Sequence, residues 1–182
     1  MDVSQSSLFL TLTYADEPLS PNGHGTLRRK DLTDFFKRLR KRNSIYTDAK
    51  IKYYACGEYG SKYLRPHYHL IIFNIHPRIY QDAQTFQQKI WTHGSVDIAV
   101  CNLATINYTV GYIMKGAWKD ETEVDMLTGE LLMDDRVPEF SVMSKNLGLC
   151  YLSESIWNWH LDNMIGTVTM PPDRDWETII HQ

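Results

Sequence analysis

The sequence predicts an α+β domain, a central antiparallel sheet of split-βαβ type with helices packed on it. Three observations carry this. Leu8 to Tyr14 alternates strictly; two β-rich runs, Ile51 to Gly57 and Tyr68 to Ile75, flank a short loop; and helical stripes interrupt the strand patterns in the order β-α-β-β-α-β-α. The 182 residues are 43% hydrophobic, 12% aromatic and 23% charged, enough apolar material for one ordinary core.

The first strand places Leu8, Leu10, Leu12 and Tyr14 on one face and Phe9, Thr11 and Thr13 on the other. Asp16 to Gly25, with two prolines and two glycines, is a loop. From about Thr26 to Arg42, the residues Leu32, Phe35, Phe36 and Leu39 recur at helical spacing with basic residues on the opposite face. The two β-rich runs form an antiparallel hairpin around Tyr59 to Pro66. In the second run both alternating sets are apolar, which predicts a central strand covered on both sides. Ile79 to Trp91 carries Ile79, Ala83, Phe86 and Ile90 as a helical stripe closed by Gly94, and Ser95 to Cys101 reads as a strand. Asn102 is the N-cap of a helix running to about Gly116. Beyond it come a hairpin turning near Thr128-Gly129, an irregular stretch from Val137 to Leu149, and a Trp-rich helix from Ser153 to about Ile165. The expected organisation is one domain over 1–182: a core at about 7–118, an acidic insertion at about 119–139 and a C-terminal helical segment at about 140–182.

Composition excludes several classes. The longest uncharged apolar stretches fall far short of the ~20 residues a membrane span needs. Residues 1–5 lack the basic-then-apolar pattern of a signal peptide. The three cysteines, Cys56, Cys101 and Cys150, form no Cys-x-x-Cys pair, so a disulfide scaffold or thiolate zinc site is not expected and a reducing compartment fits. The net charge of -3 conceals a strong asymmetry. Arg28 to Arg42 holds eight basic and two acidic residues, a net of +6, which leaves -9 for the rest of the chain. Lys119 to Glu139 holds eight acids and two bases. The basic helix is either a solvated face or a track for phosphates, to which Arg28, Arg29, Lys37, Arg38, Arg40, Lys41 and Arg42, with Arg65 in the hairpin loop, would contribute.

The chemistry begins at His67-Tyr68-His69. Alternate side chains of a strand share a face, so the two imidazoles stand roughly 6 to 7 Å apart along the chain on one side. Closing the hairpin on Tyr59 to Pro66 sets Glu58 opposite His67 and diagonal to His69. Two imidazoles and a carboxylate with open positions suit a divalent ion that also binds a substrate oxygen. Read otherwise, Glu58 is a strand-end charge or an ion-pair partner for Arg65.

A second grouping lies at Tyr108-Thr-Val-Gly-Tyr112-Ile-Met-Lys115. At 100° per residue, Leu103, Ile106, Val110, Ile113, Met114 and Ala117 form one stripe, and Tyr108, Tyr112 and Lys115 form another nearly opposite. Hydroxyls at i and i+4 with a lysine one turn on supply two alternative nucleophiles and a cation for phosphoryl chemistry; the alternative is second-layer packing. Gly111, between the tyrosines, hints at close approach by another group.

Taken together, Thr11-Leu12-Thr13-Tyr14, then Gly57-Glu58-Tyr59-Gly60 leading to Arg65-Pro66-His67-Tyr68-His69, then Tyr108 to Lys115 resemble the three ordered motifs of the HUH endonucleases, in particular the replication initiators of gokushovirus and other Microviridae-type single-stranded DNA phages. Pro138 to Lys145 and Leu147-Gly148-Leu149 resemble a further stretch that follows the third motif in those proteins. The resemblance spans about Leu8 to Leu152. It implies an RRM-like sheet and an enzyme that nicks one strand of single-stranded DNA at a replication origin, remains attached through a 5'-phosphotyrosine, and starts rolling-circle synthesis in the bacterial cytoplasm. It assigns His67, His69 and Glu58 as ligands of Mg²⁺ or Mn²⁺, Tyr108 and Tyr112 as nucleophiles and Lys115 as their polar partner. It also implies host replication proteins, a helicase and a polymerase, as partners; the acidic insertion either contacts one of them or lies away from the DNA. Tyr53, Tyr59, Tyr63 and Tyr68 are stacking platforms on this view and packing residues on the plainer one. The competing function is a non-catalytic RRM-like module that binds single-stranded nucleic acid, its tyrosines stacking bases and its histidines incidental.

Overall fold

The computed structural model describes residues 6–114 and 134–149, together with Ser4, 123–124, 131–132 and Asn158. Residues 1–147 form one compact unit and 148–182 a second. The first unit is built on a five-stranded antiparallel sheet of order β4-β1-β3-β2-β7, made by β1 (Ser7–Thr13), β2 (Lys52–Tyr59), β3 (Pro66–Phe73), β4 (Val96–Val100) and β7 (Phe140–Met143). The helices are α1 (Arg29–Asn43), α2 (Pro77–Tyr80), α3 (Ala83–Lys89) and α4 (Leu103–Met114). A separate two-stranded ladder, β5 (Glu123–Val124) with β6 (Leu131–Leu132), brackets the expected turn at Thr128-Gly129, which itself lies outside the described residues. The expected Trp-rich helix from Ser153 to Ile165 also lies outside them, apart from Asn158, which is helical. The α+β sheet architecture is as the pattern predicts.

Alternation decides which layer covers which face. Leu8, Leu10 and Leu12 of β1 stand beside Ile72, Leu70 and Tyr68 of β3, and β2 adds Tyr53 and Ala55. This side is sealed by Leu32, Phe35, Phe36 and Leu39 of α1, Ile79 of α2 and Phe86 of α3, with Ile90 and Trp91 following. Tyr53 stacks on Phe36 with ring centroids 3.7 Å apart. Burying that many large apolar side chains, each contributing roughly 1.5–3 kcal/mol, makes this layer the stabilising half of the molecule. Gly57 is required here. A Cβ on it would lie 3.1 Å from Leu27 and 3.2 Å from Phe140.

Four expectations need correction. The helix expected over Ile79 to Trp91 is two short helices: Asp82 turns its carboxylate back to cap α3 through the Thr85 amide (3.0 Å), a local bond that outcompetes helix continuation. The stretch from Val137 to Leu149 is not irregular throughout, because Phe140 to Met143 adds β7 to the free edge of β2, with Phe140 and Val142 turned to the core layer. Four alternating residues are too short a signal to distinguish from loop. The apolar stripe of α4 does not face inward. Leu103 is 72% exposed, Ile106 and Val110 are also exposed, and Thr109 is fully buried. The sheet face that α4 covers is the polar one, carrying Thr11, His67 and His69, and it accepts a threonine rather than a row of aliphatics. Finally, nothing comes within 4 Å of a Cβ built on Gly111, so close approach does not explain that glycine.

Candidate metal centre

The site is made by the β2–β3 hairpin. Gly60 donates its amide to the Arg65 carbonyl (3.1 Å), Leu64 adopts a left-handed conformation at φ 50°, and the register that follows sets Glu58 opposite His67 and Cys56 opposite His69. Glu58 is therefore diagonal to His69, and all three side chains leave the sheet on the face away from α1. Glu58 Oε1 lies 2.7 Å from Nε2 of both His67 and His69, and the ligand atoms of the three residues fall within 4.8 Å of one another. Glu58 is 3% exposed, His69 is buried and His67 half-buried.

Each imidazole is aimed by its other nitrogen. His67 Nδ1 lies 3.0 Å from the Arg65 carbonyl and His69 Nδ1 lies 3.0 Å from Thr11 Oγ1, so both Nε2 atoms converge on the carboxylate. Ligating histidines are oriented in this way by outer partners. Phe9 stacks on the His69 ring at 5.4 Å, and the His67 ring meets it edge-on at 4.9 Å.

Electrostatics fit the same role. Burial alone would push the Glu58 carboxyl up, but hydrogen bonds from His67 and His69 and their charge hold it at about 2. Burial opposes charge on His67, yet the bonds to Glu58 and to the Arg65 carbonyl raise it above its ordinary value. Glu58 Oε2 is buried with no hydrogen-bond partner among the described residues. Such an orphan is costly, and a cation would satisfy it. The residues thus fit a divalent ion by donor type, convergence and charge. Cys56, beside the cluster, is excluded as a thiolate: burial, then the Glu58 charge, pushes its thiol up to about 12.

Tyr108 comes to this cluster from α4. Its ring meets His69 edge-on with centroids 5.1 Å apart, and the residue is 50% exposed. The backbone of Tyr112 occupies the last turn of α4, four residues on. Lys115 lies outside the described residues.

The basic residues divide. Arg65 does not pair with Glu58; its Nη2 donates to the Tyr14 carbonyl (3.0 Å) and its Nε points to Glu17 (3.4 Å). The α1 helix lies across the sheet from the cluster, and its N-terminal Arg28 and Arg29 are at the hairpin end, where the Arg28 carbonyl accepts from Tyr68 and Arg29 stacks on Phe140 at 3.9 Å. Arg40, Lys41 and Arg42 are at the far end, Arg40 lying over Phe36 and Tyr53. Lys37 pairs with Asp34 at 3.3 Å, and Arg38 is engaged by the Ile90 carbonyl (2.8 Å). Of the four tyrosines considered as platforms, Tyr59 and Tyr68 are buried, Tyr53 is stacked on Phe36, and Tyr63 alone is widely exposed (73%). Pattern reading missed Thr11 as the partner of His69. The period-2 assignment already placed Thr11 on the right face, but only the β1–β3 register, Thr11 opposite His69, brings them together.

A split-βαβ sheet that presents two histidines and a glutamate from its two central strands, beside a tyrosine-bearing helix, defines a domain with a candidate divalent metal centre. Residues 7–117, which run from β1 through α4, match the replication-associated protein ORF2 family, and the chain belongs to that family. It is similar to the replication-associated protein ORF2 of Spiroplasma virus 4, 32% identical over 160 residues, 81% of this chain and 47% of that protein. It is also similar to the replication-associated protein VP4 of Bdellovibrio phage phiMH2K, 32% identical over 126 residues, 60% of this chain and 38% of that protein. The replication-associated protein ORF4 of Chlamydia phage 1 is 28% identical over 121 residues, 58% of this chain and 30% of that protein. The chain therefore spans less than half the length of these curated relatives. No solved structure matches it. The resemblance to phage replication proteins read from the three motifs is borne out. Among the described residues no helix is long and apolar enough to cross a membrane.

Proposed function

We propose that this chain nicks and rejoins single-stranded DNA at a phage replication origin through a 5'-phosphotyrosine intermediate, so initiating rolling-circle replication in the cytoplasm of a bacterial host. The observation that carries this reading is the convergence of Glu58, His67 and His69 within 4.8 Å, with the Tyr108 ring against His69. A divalent ion, Mg²⁺ or Mn²⁺, held by those three side chains would supply electrophilic activation of the scissile phosphate and neutralise charge growing on its oxygens.

The rest is work for the chain's own groups. The phenolic oxygen of Tyr108 or Tyr112 forms a bond to phosphorus as the bond from phosphorus to the 3'-oxygen breaks. The phenol gives up its proton and the departing 3'-oxygen takes one, leaving a 3'-hydroxyl for the polymerase. One phosphodiester is exchanged for another, so no external energy source is needed and the reverse attack reseals the strand. Lys115 serves as countercharge to the oxyanion. The half-exposed position of Tyr108 favours this role, since a nucleophile must meet a backbone phosphate from outside. A phosphate inside a stacked duplex would not reach both helix and sheet, so the substrate is single-stranded or extruded DNA. Arg28, Arg29 and Arg65, at the hairpin end, are proposed to guide its backbone near the cluster, and Lys37, Arg38, Arg40, Lys41 and Arg42 belong to a separate basic surface across the sheet. Host helicase and polymerase are the proposed partners.

Incubation with a labelled single-stranded origin oligonucleotide and Mn²⁺ tests the proposal. A protease-sensitive covalent adduct is expected. Binding without any adduct, under conditions where Mn²⁺ is bound, would leave only a non-catalytic binding module.

A further inference from the structure

Thr11 is placed to do more than fill a strand position. It is the Cα partner of His69 across β1 and β3, and its Oγ1 is 3.0 Å from His69 Nδ1. On the other side of the same ring, Nε2 is 2.7 Å from Glu58 Oε1. An ionised carboxylate only accepts, so in the ion-free protein Nε2 carries the proton. In a neutral imidazole Nδ1 is then an acceptor, and the Thr11 hydroxyl must donate to it. To ligate a cation, however, Nε2 must present its lone pair. The proton then belongs on Nδ1, which needs an acceptor at the same place.

A hydroxyl meets both demands by rotating about one bond, since it has a donor hydrogen and acceptor lone pairs. His67 has no such freedom: its Nδ1 faces the Arg65 carbonyl, which accepts only, so that nitrogen keeps its hydrogen throughout. Nor can the His69 ring easily flip instead. It is buried, stacked on Phe9 at 5.4 Å with an interplanar angle of 13°, and held edge-on by Tyr108 and His67. We infer that Thr11 is the positioning residue that lets His69 exchange tautomers, donating to Nδ1 in the ion-free protein and accepting from it when Nε2 becomes a ligand. The proton released at Nε2 is matched by the one gained at Nδ1 through water, so the ring stays neutral. The inference rests on the metal-dependent reading above.

Long-range ¹H–¹⁵N correlation spectra of the histidine rings test it directly. In the wild type, His69 is expected as the Nε2-protonated tautomer without ion and as the Nδ1-protonated one with saturating Mg²⁺, while His67 keeps its Nδ1 hydrogen in both. Thr11→Val keeps the β-branched shape and strand preference but removes the hydroxyl. It is expected to weaken Mn²⁺ binding, measured by paramagnetic resonance, about 10- to 100-fold. Thr11→Ser restores the hydroxyl and should restore affinity to within a few-fold, which a loss of folding or packing would not predict. One His69 tautomer with and without Mg²⁺, or wild-type Mn²⁺ affinity in Thr11→Val, would overturn the inference alone. Failure of the wild type to take up Mn²⁺ would overturn the metal reading along with it.

Discussion

The Glu58–His67–His69 cluster should give the ion-free protein a bell-shaped dependence of stability on pH. For Glu58, burial raises the carboxyl, and the hydrogen bonds from the two imidazoles more than reverse this, to about 2 against an ordinary 4.5. A group depressed in the folded state contributes stability that is complete above the unfolded value and is lost as pH falls through the folded one. From 4.5 to about 2, at about 1.4 kcal/mol per pH unit, that is about 3 kcal/mol, lost between roughly pH 5 and pH 2. His67 runs the other way. Raised above 6.5 in the fold, it contributes stability that is complete below 6.5 and is lost as pH rises past its folded value. The two shifts are one attraction seen from its two ends, so the 3 kcal/mol is not counted twice. Stability from this source should be greatest between about pH 5 and 6.5.

A divalent ion inverts the alkaline limb. Its ligands must be unprotonated, so binding competes with the proton on His67 and strengthens as pH rises. At about 100 times its dissociation constant an ion adds about 2.7 kcal/mol. Urea unfolding from pH 3 to pH 9, in EDTA and in Mn²⁺, reads both effects. Glu58→Gln should flatten the acid limb and abolish the Mn²⁺ gain, which separates this carboxylate from Asp34, Asp82, Asp134 and Asp135, also held low. An acid limb equally steep in Glu58→Gln, or an Mn²⁺ gain no larger at pH 8 than at pH 5, would refute the reasoning.

Other outcomes follow from the same geometry. His67→Ala and His69→Ala should each abolish nicking and weaken Mn²⁺ binding while leaving the fold, checked by circular dichroism and calorimetry; full nicking by the double variant would remove the metal site. Tyr108→Phe and Tyr112→Phe should each retain some adduct, and the double variant none, because phenylalanine keeps the ring and deletes only the nucleophile; mass spectrometry of the nucleotidyl-peptide would contradict this with an adduct on any other residue. Among the basic residues, Lys41→Ala should lower the salt slope of single-strand binding by about 0.7 if it contacts a phosphate. Arg38→Ala should instead lower stability by about 1–3 kcal/mol, since it frees the buried Ile90 carbonyl; an unfolding midpoint equal to wild type would show that bond to be dispensable.

Much of the fold was legible because alternation and helical spacing are long-range patterns written locally. Leu8 to Tyr14 announced β1, and the doubly apolar run at Leu70 to Ile75 announced the centre of the sheet, where β3 indeed lies between β1 and β2. What escaped depended on contacts between segments distant in sequence. β7 is four residues long and acquires its identity from the open edge of β2, eighty-odd residues earlier. The helix at Ile79 to Trp91 broke because a single carboxylate, Asp82, found an amide three residues on. The metal cluster was legible for the opposite reason: a hairpin's register is fixed by its turn, so Glu58, His67 and His69 could be aligned by counting. Thr11 could not be, because nothing in one strand states the register of its partner across a crossover.

The inverted face of α4 ties these points to function. An apolar stripe of Leu103, Ile106 and Val110 would ordinarily seek the core, yet it faces outward while Thr109 is fully buried. Turning the stripe inward would rotate Tyr108 away from His69, because the two sets lie nearly opposite on the helix. It would also press aliphatic side chains onto a sheet face that carries a buried carboxylate and two imidazoles, whose polar atoms those side chains could not satisfy. Hydrophobic burial therefore acts on the α1 side of the sheet, where it can fill a dry core. On the α4 side polar satisfaction decides the helix's rotation, and that choice is what brings a tyrosine to the candidate metal centre.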